Sequence, residues 1–157
     1  MIGEDIWSVF LFNRPDSAAK KFVLADHVKP ANIGWMGENF KRLFLRKVEE
    51  DVPKATLTVS KLTNASLDAP ILTELGDRAE SKLAWLFELI EKQSKGEDGI
   101  LLTNGYANIF YVLDADGNLW AVYAYWYSDC RDWSVEAYSV ERPDRWNAGN
   151  QVFSCDS

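Results

Sequence analysis

The chain has 157 residues, 47% hydrophobic and 13% aromatic, with 17 basic against 24 acidic side chains and a formal charge of −7. That length fits a single domain over residues 1–157, and that apolar content can build a core, which excludes a disordered tail. The acidic balance argues against a general polyanion binder, because phosphate affinity comes chiefly from Lys and Arg, so nucleic acid is not an expected partner.

The opening residues, MIGEDIWSVFLFN, carry acids ahead of a short apolar run and no basic segment, so they do not read as a secretion signal. No apolar run approaches the roughly 18 residues that span a membrane. The expectation is a cytoplasmic protein with no membrane partner, in which the glycosylation triplet at Asn64–Ser66 carries no meaning and Cys130 and Cys155 stay thiols.

Asp5 to Asn13 reads as a strand apolar on both faces, as in the middle of a sheet. Arg14–Ser17 is a turn, Phe22–Ala25 a weak second strand, and Pro30–Gly34 a loop. Met36, Phe40, Leu43, Phe44 and Val48 share one helical face, predicting a helix from Met36 to Glu50 that Pro53 closes off. Off that stripe lie Lys41, Arg42, Arg46 and Lys47, a basic cluster read as a solvated helix face.

Ala55 to Leu62 is a strand with Leu57 and Val59 on one side and Thr56, Thr58 and Ser60 on the other. Ser66–Pro70 opens a short helix with Asp68 as its cap, and Gly76 ends it. Asp77 and Glu80 make a capping pattern for the next helix, which runs to about Gln93 on Ala79, Leu83, Leu86, Phe87 and Ile90. Trp85 and Leu89 widen that stripe, so this helix is expected to pack deepest. Ser94–Gly99 is a loop.

Tyr106 to Val140 holds all six tyrosines and reads as three strands. Asp114–Asn118 is a hairpin with Asp116-Gly117 as the turn pair, and Ser128–Asp132 is a second polar break. Hydrophobicity should choose the register, since a slip of one residue exchanges the faces. Placing Tyr127 opposite Asp132 sets Trp126 against Trp133, Ala124 against Val135 and Val122 against Ala137. With the first hairpin added, the core face becomes Ile109, Tyr111, Leu113, Trp120, Val122, Ala124, Trp126, Trp133, Val135 and Ala137. The other face carries Phe110, Val112, Leu119 and Ala121 at one end, and Tyr123, Tyr125, Tyr127, Ser134, Glu136 and Tyr138 at the other. Beyond it, Arg142–Gly149 is a loop and Gln151–Ser154 a last short strand.

The segments SLDAPILTELGD, LLTNGYANIFYV with DGNLWAV, and DWSVEAYSVERPDRWNAGNQVFS carry a resemblance to an uncharacterised family of bacterial proteins, running from about Gly37 to the end. The resemblance implies a prokaryotic or phage origin and supplies no activity and no catalytic residue.

Constellations that carry chemistry are sparse. A triad needs a positioned base, and the single histidine, His27, sits at the end of a weak strand with no G-x-S-x-G elbow anywhere. One His and two distant Cys match no zinc spacing. Asp114, Asp116 and Asn118 imitate the start of a calcium loop, but Gly stands at 117 rather than 119 and Tyr125 takes the place of the final Glu, so a hairpin turn is expected and no metal. Thr103–Gly105 is too short to cradle a phosphate. Glu136, with Asp129 or Asp132 at its rim, offers a carboxylate pair. Tyr123, Tyr125 and Tyr127 offer rings with polar tips, suited to stacking or to coverage by a second copy.

The sequence therefore predicts an α+β fold: an antiparallel meander sheet with about three helices on one face. It predicts a non-catalytic binding module using the tyrosine face, with Tyr123, Tyr125, Tyr127, Asp129, Arg131 and Glu136 as ligand or interface residues. A small hydrolase with a carboxylate and tyrosine pocket on the same sheet is the alternative. No cofactor is expected; the partner would be a small ligand, another protein or a homodimer mate.

Overall fold

The computed structural model describes residues 21–155 and, for their backbone alone, residues 2–11. The turn read at Arg14–Ser17 lies outside the described residues. The strands are β1 (Ile2–Leu11), β2 (Phe22–Val23), β3 (Ile33–Met36), β4 (Val48–Glu49), β5 (Ala55–Leu62), β6 (Glu80–Ser81), β7 (Asn108–Leu113), β8 (Leu119–Tyr127), β9 (Asp132–Ser139) and β10 (Gln151–Cys155). The helices are α1 (Glu38–Phe44), α2 (Asp68–Leu75) and α3 (Leu83–Lys92). This is the expected α+β class, with the fold differing in two respects.

The main sheet is mixed rather than a pure antiparallel meander. Its order is β1-β5-β10-β7-β8-β9-β3, with β6 lying beside β7. The β7-β8-β9 meander is antiparallel, but β10 and β6 run parallel to β7, and β3 runs parallel to β9. The strand expected in the middle, β1, stands at one end of the order, antiparallel to β5.

The helices also take both faces of the sheet rather than one. α1 and α3 cover one face, packing Phe40, Phe44, Leu86, Phe87 and Ile90 against Phe110, Val112, Val122, Ala124, Trp133 and Val135. On the other face α2 places Ile71 and Leu75 with Ile109, Tyr111, Ala121 and Val152, and Trp146 joins them from the β9–β10 connection. The reason is in β7: Ile109, Phe110, Tyr111 and Val112 are all fully buried, and a strand apolar on both sides needs a cover on both sides.

The β8–β9 register is the expected one, Trp126 opposite Trp133, Val122 opposite Ala137 and Tyr127 opposite Asp132. The β7 register is one residue away from expectation. Phe110 pairs with Val122 and Val112 with Trp120, so these two residues lie on the Trp face while Ile109 and Tyr111 lie on the tyrosine face. Asp114 fixes the hairpin: its Oδ1 accepts from the amides of Asp116 and Asn118, and its Oδ2 from the Trp120 indole at 2.8 Å. Burial works to raise the pKa of Asp114, but these hydrogen bonds outweigh it and leave the pKa lowered.

Two carboxylates outside the expected capping positions organise the helices. α3 begins at Leu83, not near Asp77, and the buried Glu49 carboxylate accepts from the Leu83 and Ala84 amides at 2.9 Å each. Two orphan amides at a helix start are thereby satisfied by one side chain. α1 stops at Phe44, six residues short of the expected Glu50, and Glu49 lies instead in β4. Lys47 then reaches the Leu113 carbonyl and Glu49, and Arg42 lies over the Trp120 ring, so the basic cluster is partly engaged with the fold. Asp68, expected as a cap, is instead the first residue of α2 and completely buried.

Candidate functional site

α2 covers only part of the second face. Beyond it, Tyr123, Tyr125 and Tyr138 from β8 and β9 form the floor of a cleft of about 350 Å³. The β9–β10 connection supplies Arg142, Arg145, Trp146, Asn147 and Asn150, and Gly105–Ala107 closes the remaining side. That connection is pinned by paired main-chain hydrogen bonds between Ser66 and Trp146 (3.0 and 2.8 Å) and by the Gly149 amide on the Leu62 carbonyl (2.9 Å). Gly149 has φ of +99°, and a β-carbon there would press into the Tyr106 ring. Glycine is what allows the backbone to turn beneath that ring.

Tyr123 is the hub of the floor. Its ring lies 6.0 Å from Tyr125 at 18°, 5.0 Å from Tyr138, and 5.2 Å edge-on to Trp146. Burial pushes the Tyr123 hydroxyl well above the usual phenol range, with Tyr138, Tyr125 and Glu136 adding to the rise, so it stays a neutral polar tip. The Arg142 guanidinium stacks on the rings of Tyr138 at 4.0 Å and Trp146 at 4.7 Å. Among the described residues its buried Nε has no hydrogen-bond partner, and its Nη1 lies 3.4 Å from Asp144, whose side chain is 78% exposed.

Below the cleft is a polar cluster. The Trp146 indole and the Tyr111 hydroxyl both donate to Asp68 Oδ1, each at 2.7 Å. Asp68 Oδ2 is buried with no partner among the described residues. Burial raises the pKa of Asp68, against the lowering effect of those two donors and of Arg142. Tyr111 is pushed far above its ordinary range by burial and by Asp68.

The residues expected from sequence to form one site are dispersed. Tyr123 and Tyr125 line the cleft. Tyr125 also borders a second cleft of about 360 Å³, shared with Gly34, Trp35, Tyr127, Cys130, Asp132 and Ser134. Asp129 and Arg131 are exposed in the β8–β9 turn and line neither cleft. Glu136 pairs with Tyr123 across β8–β9, but its carboxylate is engaged at the sheet edge: its Oε1 accepts from the amides of Phe40 (3.0 Å) and Ala137 (2.8 Å), holding the start of α1. His27 is likewise occupied, 2.8 Å from Glu91 and stacked on Phe22.

Tyr106, Tyr138, Arg142, Arg145, Trp146, Asn147 and Asn150 are the cleft residues that sequence reasoning did not assign. One signal was available: the run Glu141–Asn147, ERPDRWN, puts two arginines and a tryptophan in a loop directly after the strand that carries Tyr138.

Compared with known proteins, the chain matches no family model, no curated protein and no solved structure. Among the described residues, no group of three or more His, Cys, Asp or Glu is placed to hold a metal ion, and no helix is long and apolar enough to cross a membrane.

Proposed function

We propose that the protein is a binding module whose ligand site is the cleft over Tyr123, and that it works without catalysing a reaction. The observation that carries this reading is the lining itself. Rings from Tyr106, Tyr123, Tyr125, Tyr138 and Trp146 meet two guanidinium groups and two amides in one concavity, which offers ring faces to stack on beside groups that can hydrogen-bond a ligand. The carboxylates a hydrolase would need are engaged elsewhere, Glu136 with α1 and Asp68 beneath Trp146. The reading keeps the cytoplasmic location and the bacterial family resemblance expected from the sequence, neither of which assigns a residue role.

The test is a thermal-shift screen of sugars, nucleosides, aromatic acids and short peptides against wild type and Tyr125→Ala. Ligands that raise Tm in the wild type and lose that effect in the variant support the reading. A screen with no Tyr125-dependent ligand overturns it, and turnover of chromogenic esters abolished by Glu136→Gln would install the hydrolase in its place.

Self-association is a second reading, carried by Trp35 and Tyr127. They are 49% and 46% exposed and face the second cleft, and large exposed rings grouped this way are what a homodimer or another protein covers.

A further inference from the structure

We infer that the cleft over Tyr123 selects a flat aromatic ligand bearing one anionic group, a phosphate or a carboxylate, with Arg142 and Arg145 receiving the charge. The inference rests on the binding reading above and adds the chemical class of the ligand.

Charge distribution is the first support. The chain as a whole carries −7, yet the lining of this cleft contains two arginines and no acidic residue. A small anion inside the cleft senses the two guanidinium groups at close range, while the net negative charge of the chain disfavours an extended polyanion. The site thus accepts a single charged group and rejects a nucleic acid strand.

The second support is the state of Arg142. Stacked on Tyr138 and Trp146, its guanidinium is held in a fixed plane, and a fixed fork matches the geometry of a carboxylate or phosphate. It is nevertheless poorly satisfied. Its Nε is buried without a partner among the described residues, and the carboxylate in ion-pair range of its Nη1, Asp144, is largely solvated. An exposed ion pair of that kind contributes little, so an incoming anion can displace Asp144 from Nη1 at small cost.

The third support is size and surface. A volume of about 350 Å³ sits at the small end for ligand sites, matching one or two rings rather than an oligomer. Tyr106, 47% exposed, and the half-buried Tyr125 give a flat ring something to stack on.

The experiment is calorimetric titration of the full chain with phenyl phosphate, phenylacetate, phenol and inorganic phosphate. Phenyl phosphate or phenylacetate should bind at least about tenfold more tightly than phenol, the scale of one hydrogen bond to a charged group. The better of the two identifies the anion. Arg142→Gln should erase that advantage. Arg145→Gln, at an exposed position where folding is not at stake, should reduce it and weaken its salt dependence. If phenol binds as well as both anions, and does so through Tyr125, the charge inference falls and the binding module stands. If inorganic phosphate alone binds as well as phenyl phosphate, the ring is not recognised and the inference falls. If no aromatic probe binds, the inference falls, and the binding module then rests on the thermal-shift screen alone. An anion preference unchanged in both arginine variants also overturns it.

Discussion

The carboxylate of Glu136 occupies the space that a side chain at position 37 would fill. Gly37 is the N-cap of α1, and Glu136, arriving from β9, crosses it to accept the Phe40 amide. Gly37→Ala should therefore expel Glu136 and leave the start of α1 uncapped. We expect a loss of about 1–2 kcal/mol, the usual value of a helix cap, measured by urea denaturation. If Gly37→Ala and Glu136→Ala are each costly but no worse when combined, the two positions act as one unit; full additivity would refute the coupling.

Asp68 supplies a pH dependence. Its carboxyl holds its proton to higher pH in the folded chain than in the unfolded chain, where it ionises near ~3.9. Between those two values the folded state carries the extra proton, so stability falls as pH rises. Below that window both states are protonated and the penalty is absent; above it both are ionised and the penalty is constant. Asp68→Asn does not titrate. The stability of wild type minus variant should decline as pH climbs above ~4 and then level off, and a flat difference throughout would mean that Asp68 is ionised normally.

Two of the tryptophans of the core face should respond unequally. Trp133 is completely buried and donates its indole to the Gln93 carbonyl at 2.9 Å, so Trp133→Ala should cost about 3–5 kcal/mol. Trp120 is half-buried at the hairpin end, and Trp120→Ala should cost less while loosening the Asp114 turn. Urea melts of both variants decide this; equal losses would contradict the burial difference.

Self-association is checked by sedimentation of the wild type beside a Trp35→Ser, Tyr127→Ser double variant. A wild-type dimer that becomes a folded monomer in the variant establishes the patch as the interface. A monomeric wild type removes the homodimer reading.

The legible part of the fold was the part written as alternation. In β8 and β9 small or apolar residues alternate with tyrosine and polar ones, and that pattern alone chose the correct pairing of Trp126 with Trp133. β7 has no alternation, and its register depends on Asp114, whose side-chain bonds to Trp120 and the loop amides leave no periodic trace. The caps were misplaced for a similar reason. Glu49 and Glu136 act on helices 34 and 96 residues away along the chain, whereas capping rules look only to adjacent residues. The cleft was half visible: its tyrosine floor follows from strand parity, but its arginine wall depends on where the β9–β10 connection crosses the sheet.

The position of β10 has a consequence for how the chain is made. It lies between β5 and β7, so it joins the two halves of the main sheet, and residues 151–155 leave the ribosome after every other strand of that sheet. Until they emerge, the open edges of β5 and β7 have nothing to zip together. Formation of the full sheet is thus timed to late synthesis, and pairing over such long sequence separations is intrinsically slow. A newly made chain passes through an interval with the β5 edge unpaired and the β7 edge covered only by β6, when it is most open to aggregation or to a chaperone.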